Sequence, residues 1–68
     1  MEIFATRLKE LRKEKGISQA QMAEYLNIKQ QSYMRYENDT SEPLYEMLVK
    51  IANFFGVSCD YLLGNSDY

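Results

Sequence analysis

The sequence predicts an all-α domain. Three observations carry that expectation: apolar residues recur at three- and four-residue spacing along the chain, residues that favour helix starts stand ahead of these runs, and Gly or Asn follows them. At 68 residues the chain makes one small domain with a modest core. It holds one cysteine and no histidine, and so has no disulfide or metal staple. Close helix packing has to supply its stability.

Phe4, Leu8 and Leu11 stand at i, i+4 and i+7, the stripe of a first helix that Gly16 stops. Ser18 opens the second helix: its hydroxyl accepts from a first-turn N–H while Gln21, three residues on, reaches back, the capping-box arrangement. Met22, Ala23 and Leu26 give that helix its apolar stripe. Asn27 sits where the chain must reverse and tolerates the left-handed conformation such a turn often needs, with Ile28 behind it as a buried anchor. A third helix runs over about 29–37. Pro43 suits the start of a fourth, whose Leu48, Ile51, Ala52 and Phe55 repeat at helical spacing before Gly56 ends it. Ser58 caps a short fifth helix carrying Tyr61, Leu62 and Leu63. One core is expected to gather Phe4, Leu8, Leu11, Met22, Leu26, Ile28, Leu48, Ile51 and Phe55. Cys59 reads as a packing side chain rather than a reactive thiol, because no basic neighbour lies close in sequence to lower its pKa. No repeat or linker divides the chain, so residues 1–68 read as one domain with a tail, 65–68, that frays.

The third helix carries the chemistry. Stepping about 100° per residue from Gln30, Gln31, Met34 and Arg35 fall in one arc, while Tyr33 and Tyr36 fall on the other side. One face offers amides and a guanidinium, the other aromatic rings. A duplex major groove admits an α-helix, and its base edges are told apart by bidentate partners: Gln suits adenine and Arg suits guanine. An ordinary solvated helix face would look the same in isolation. The Asn-centred turn and the capped helix before it tip the balance, because together they make a helix-turn-helix, in which the second helix enters the groove.

With those residues in view, the whole chain resembles the Cro and repressor family of lambdoid phages and the related bacterial regulators called XRE-like. The resemblance rests on RLKELRKEKGISQAQMAEYL, on RYEN, and on the Pro-led segment followed by LxxIAxxFGVSxDYLLG. It implies a compact lambda-repressor-like bundle of five helices. It further implies that Gln30, Gln31 and Arg35 read bases, Arg35 having a plain solvated charge as its alternative, and that Ser32 meets a phosphate. Gln19 matches a glutamine that touches a phosphate and braces the recognition helix, against the alternative of a solvated helix-start residue. Asn38 matches a residue whose side chain or backbone N–H meets phosphate, though capping the helix end explains it equally well. Arg12 and Glu37 stand where the family keeps an ion pair between the first and third helices; if buried, it costs on the order of 3–5 kcal/mol to break from one side.

The chain also departs from the family. Lys29 stands where a capping Ser or Thr is frequent, although it places a cation near phosphate; Asp39 replaces the usual Gly, Leu44 replaces a capping Ser or Thr, and the loop DTSEP lacks basic residues. These changes weaken the expected grip on the DNA backbone.

Net charge is −2, unlike the basic surface usual for a nucleic-acid binder. The average conceals a gradient: residues 7–15 carry net +3 through Arg7, Lys9, Arg12, Lys13 and Lys15 against Glu10 and Glu14, and residues 29–37 net +1, whereas residues 38–68 carry net −4. Phosphate affinity depends on where cations stand, so an acidic rear is compatible with binding but predicts modest affinity for unrelated DNA.

An enzyme is the least attractive class. There is no histidine base, no cluster of metal ligands and no Gly-rich phosphate loop, and no cofactor is implied. Two readings remain: a sequence-specific double-stranded DNA-binding transcriptional regulator acting at an operator, or a protein-interaction module on the same fold in which DNA contact is vestigial. Without a signal peptide or long apolar run the chain is expected in the cytoplasm rather than at a membrane. One recognition helix reads few base pairs, so a homodimer is expected at least on DNA, with residues 57–63 as its interface unless their side chains complete the monomer's core.

Overall fold

Each of the five apolar stripes becomes a helix. The structure, a computed structural model, describes residues 2–68: α1 spans Glu2–Lys15, α2 Gln19–Leu26, α3 Gln30–Glu37, α4 Tyr45–Phe55 and α5 Cys59–Leu63, and no strand occurs among the described residues. α1 lies against α3 and α5, α2 against α3 and α4, and α4 against α5.

One device ends all five helices. The residue after the last turn adopts the left-handed conformation, and the next backbone N–H folds back to a carbonyl five residues earlier: Ile17 to Arg12, Ile28 to Ala23, Thr40 to Arg35, Val57 to Ala52 and Asn65 to Asp60, at 2.8–3.4 Å. The left-handed residues are Gly16, Asn27, Asp39, Gly56 and Gly64. This Schellman geometry pairs carbonyls a helix end leaves orphaned, and its hydrophobic contact appears as Ile17, Ile28 and Val57 packing on the core.

Helix starts are less uniform. Ser18 and Gln21 form the full capping box, with Gln21 N–H to Ser18 Oγ at 3.0 Å and Ser18 N–H to Gln21 Oε1 at 2.8 Å. Ser58 Oγ accepts from Tyr61 N–H at 2.9 Å at the head of α5. Lys29 and Leu44 occupy the cap positions of α3 and α4 and make no side-chain cap bond. Pro43, expected at the fourth helix start, lies one residue before the cap: its fixed φ shapes the approach, and the helix begins only at Tyr45.

The core holds Phe4, Leu8, Met22, Leu26, Leu48 and Ile51 as expected, completed by Ala23, Tyr33, Ala52 and Leu62. Leu11, Ile28 and Phe55 are half-buried at its margin instead of inside it. So small a domain encloses few positions on every side, and these three stand near helix ends or in a turn. Cys59 is likewise half-buried and packed on the core. Residues 65–68, read as a fraying tail, carry hydrogen bonds: Arg7 Nη1 donates to the Ser66 carbonyl at 2.8 Å and Ser58 Oγ to the Tyr68 carbonyl at 2.8 Å.

The turn between α2 and α3 sets the angle of the presumed reading helix, and its pivot is Asn27 at φ 58°. Asn27→Gly should leave the urea midpoint unchanged or raise it, whereas Asn27→Ala should lower the unfolding free energy by about 1 kcal/mol, since a Cβ without the Asn amide has no local compensation in that conformation. Equal losses in both variants would place the importance of Asn27 in its side-chain contacts instead.

Candidate nucleic-acid interface

The site is built around a buried carboxylate. Glu37, at the last turn of α3, is 6% exposed and accepts four hydrogen bonds from three helices. Arg12 of α1 reaches it twice, Nε to Oε2 at 2.6 Å and Nη2 to Oε1 at 3.2 Å. Gln19 of α2 donates through Nε2 to Oε1 at 3.1 Å. The Tyr33 hydroxyl, one turn back on α3, donates to Oε2. Arg12 spends its remaining reach on the Ile17 carbonyl, 2.8 Å from Nη1, so it also ties down the end of α1. No buried side-chain nitrogen or oxygen among the described residues lacks a partner.

Electrostatics follow from this arrangement. Burial pushes the Glu37 carboxyl pKa up, but the hydrogen bonds from Arg12, Tyr33 and Gln19 outweigh it and hold the pKa below the ordinary glutamate value. The bond to Glu37 raises Arg12 despite its own desolvation. Burial first, and then the bond to Glu37, push the Tyr33 phenol far up, so it stays a neutral donor.

With Tyr33 and Glu37 facing inward, the other side of α3 is turned out. Gln30, Gln31 and Arg35 are exposed, Lys29 is exposed at the helix head, and Ser32 and Met34 are half-buried beside them. The three base-reading candidates thus share one solvent-facing side, carried on a helix clamped from behind. At its head α3 has no side-chain cap, leaving first-turn N–H groups to solvent or an anion. At its end, Thr40 N–H and Oγ both donate to the Arg35 carbonyl, at 3.0 and 3.3 Å, which orders the start of the following loop.

The structure sorts the remaining candidates. Gln19 is half-buried with one amide N–H committed to Glu37; its second N–H and its carbonyl are what it has left for a phosphate. Asn38 caps α3, and its backbone N–H is taken by the Met34 carbonyl at 2.9 Å, so of the two routes to phosphate only the exposed side chain remains. Ser32 and Lys29 flank the head of α3. Of the five cations in residues 7–15, Arg12 belongs to the buried cluster, and Arg7 binds the carbonyls of Tyr61 and Ser66 while lying 4.2 Å from the Tyr61 ring centroid. Only Lys9, Lys13 and Lys15 are left exposed there, and Lys15 lies 5.1 Å from the Phe54 ring. The basic segment is therefore weaker outward than its formal charge indicates.

Sequence reasoning assigned Tyr33 only to an aromatic side and missed its bond to Glu37. The i, i+4 spacing of the two was the available signal. Nothing in the sequence marked Arg7, whose partners lie more than 50 positions away. Among the described residues no group of His, Cys, Asp and Glu is placed to hold a metal ion, and no helix is long and apolar enough to cross a membrane.

Comparison with known proteins gives the same frame. A family model described as helix-turn-helix matches residues 8–62. The chain is 46% identical over 61 residues to the SPbeta prophage-derived uncharacterized HTH-type transcriptional regulator YonR of Bacillus subtilis, covering 90% of this chain and 56% of that protein. It is 43% identical over 61 residues to the HTH-type transcriptional regulator ImmR of Bacillus subtilis, covering 90% and 48%. With the cryptic phage CTXphi transcriptional repressor RstR of Vibrio cholerae it shares 29% over 65 residues, 96% and 59% of the two chains. This chain spans about half the length of the curated relatives it matches.

Glu37→Gln keeps the side chain's shape but leaves Arg12 facing a neutral amide, and should lower the unfolding free energy on the order of 3–5 kcal/mol at neutral pH. Because the native pKa of Glu37 lies below that in the unfolded chain, about 4.3, the stability from its charge is complete above that value and is lost as pH falls through the lower native one. In urea titrations from pH 7 to pH 3 the difference between wild type and Glu37→Gln should therefore shrink below about pH 4. A constant difference across that range would mean that the charge of Glu37 contributes nothing.

Proposed function

The chain belongs to the XRE-type helix-turn-helix family, and from that premise we propose that it is a sequence-specific double-stranded DNA-binding transcriptional regulator, acting in the cytoplasm as a repressor by occupying an operator. The observation that carries this reading is the exposed row of Gln30, Gln31 and Arg35 on a helix whose opposite side is fixed to the body through Tyr33 and Glu37. A base-reading side chain discriminates only if its backbone does not yield, and α3 is held to both α1 and α2.

In this reading Gln30 and Gln31 make bidentate contacts to adenine and Arg35 to guanine. Lys29, Ser32, the free N–H of Gln19 and the Asn38 side chain meet the phosphates on either side, which positions the helix without reading sequence. Arg12 and Glu37 act on DNA only through the attitude of α3. The protein binds as a homodimer on a two-fold operator, its half-sites about 34–36 Å apart.

Selection of bound sites from random duplex DNA at fixed salt is the direct test, and a near-palindrome is expected. Replacing Gln30 or Gln31 by Ala should cost roughly 1–3 kcal/mol on the selected site and much less on unrelated duplex, measured by fluorescence anisotropy. Equal losses on both would demote them to backbone contacts.

Binding should also weaken as salt rises, with a log–log slope of about −0.9 per phosphate neutralised. Lys29→Ala should make that slope shallower by about one unit while leaving the sequence preference intact. Binding that is indifferent to salt, or absent on every duplex, would support the interaction-module reading, which the loop DTSEP with its lack of basic residues otherwise favours.

A further inference from the structure

The proposed dimer needs a surface, and the side chains of 57–63 are already occupied. Leu62 is fully buried, Tyr61 lies beneath the Arg7 guanidinium, and Val57 and Leu63 pack on the core. The large exposed hydrophobic side chains lie elsewhere: Ile3, Tyr25, Leu44, Tyr45 and Tyr68. Ile3 lines the space above Gly64, and Tyr25 stacks on Phe54 with ring centroids 4.2 Å apart. Leu44 and Tyr45 are 83% and 76% exposed, adjacent at the head of α4, and neither belongs to the layer packed on the core. Met47, one turn on, borders the same shallow apolar depression.

Leu44 breaks two preferences at one position. It exposes a large aliphatic side chain to water, and it holds a helix N-cap without the hydrogen bond that Ser, Thr, Asp or Asn would make. Local rules broken without a gain inside the monomer mark places where something outside it is served. We infer that Leu44 and Tyr45, backed by Met47, form a self-complementary contact with the same patch of a second copy bound at the neighbouring half-site.

This inference rests on the DNA-binding reading above. Size argues for a second copy as the occupant. The Cα extents of the molecule are 28 × 23 × 19 Å, whereas recognition helices in successive major grooves stand about 34–36 Å apart. Two copies so placed meet only at their edges, through side chains that protrude. A patch of two protruding residues falls far short of the roughly 800 Å² per partner that a stable dimer buries. Glu46, beside the patch, also brings like charges together across a two-fold axis. The contact therefore forms on DNA and scarcely in free solution.

The test uses the chain with two duplexes taken from site selection, one carrying the full two-fold site and one a single half-site. Leu44→Ser restores a capping side chain, so its melting temperature should equal or exceed that of wild type. Its half-site affinity should stay within twofold, and its cooperative gain on the full site should fall at least tenfold. Tyr45→Ser should lose cooperativity in the same way with its half-site affinity kept. Unchanged cooperativity in both variants overturns the interface. So does an equal loss on both duplexes, which would put the pair against DNA. A one-to-one wild-type complex on a site without symmetry removes the interface and leaves the DNA-binding reading standing, whereas a wild type that selects no duplex removes both.

Discussion

A carboxylate taken out of water is tolerable only when donors replace the water it loses, and the rest of this structure is arranged around meeting that demand at Glu37. Both oxygens are engaged, by a guanidinium, an amide and a phenol drawn from α1, α2 and α3. An apolar contact is non-directional and lets helices slide. A carboxylate with four donors does not, because moving any one helix strands a buried polar atom. The network therefore sets the attitude of α3 relative to α1 and α2, with the hydrophobic core filling in around that geometry. The same cluster turns Tyr33 inward and so leaves Gln30, Gln31 and Arg35 facing out.

Around this hub the domain is economical. With a small core and no covalent staple, much of its definition comes from helix ends, and one termination geometry serves all five. Where α1, α2 and α4 end, a left-handed Gly or Asn is followed by Ile or Val, and the same turn that pairs the carbonyls delivers an apolar side chain to the core. Chain reversal and core packing are thereby accomplished by one pair of residues.

The exceptions to good local chemistry fall in one stretch. Lys29 and Leu44 hold cap positions without capping, and Asp39 adopts φ 61° where Gly would be unstrained, all within residues 29–44. The heads of α2 and α5, by contrast, are capped by Ser. Residues 29–44 contain α3 and the loop that leads to α4, the segment read as meeting DNA and the second copy. Departures from local preference concentrate where other demands compete with stability. The cations divide on similar lines: both arginines of α1 work inside the protein, so its formal positive charge overstates what it offers to phosphates.

Helix positions, their ends and the two faces of α3 were legible in the sequence alone, because they arise from periodicity and from residues such as Ser18, Asn27 and Gly56 whose preferences act within a few positions. The Arg12–Glu37 pair was legible only by resemblance, since no local rule joins residues 25 apart. What the tertiary structure alone decided is where side chains with several possible partners settle. Arg7 could have faced a phosphate and instead closes on Tyr61 and Ser66; Gln19 could have stood in solvent and instead gives one N–H to Glu37. Leu62 went inside, and Leu44 and Tyr45 stayed out. Long polar side chains and apolar residues near helix ends have several destinations of similar local energy. The choice among them falls to desolvation and packing, which depend on every neighbouring helix at once.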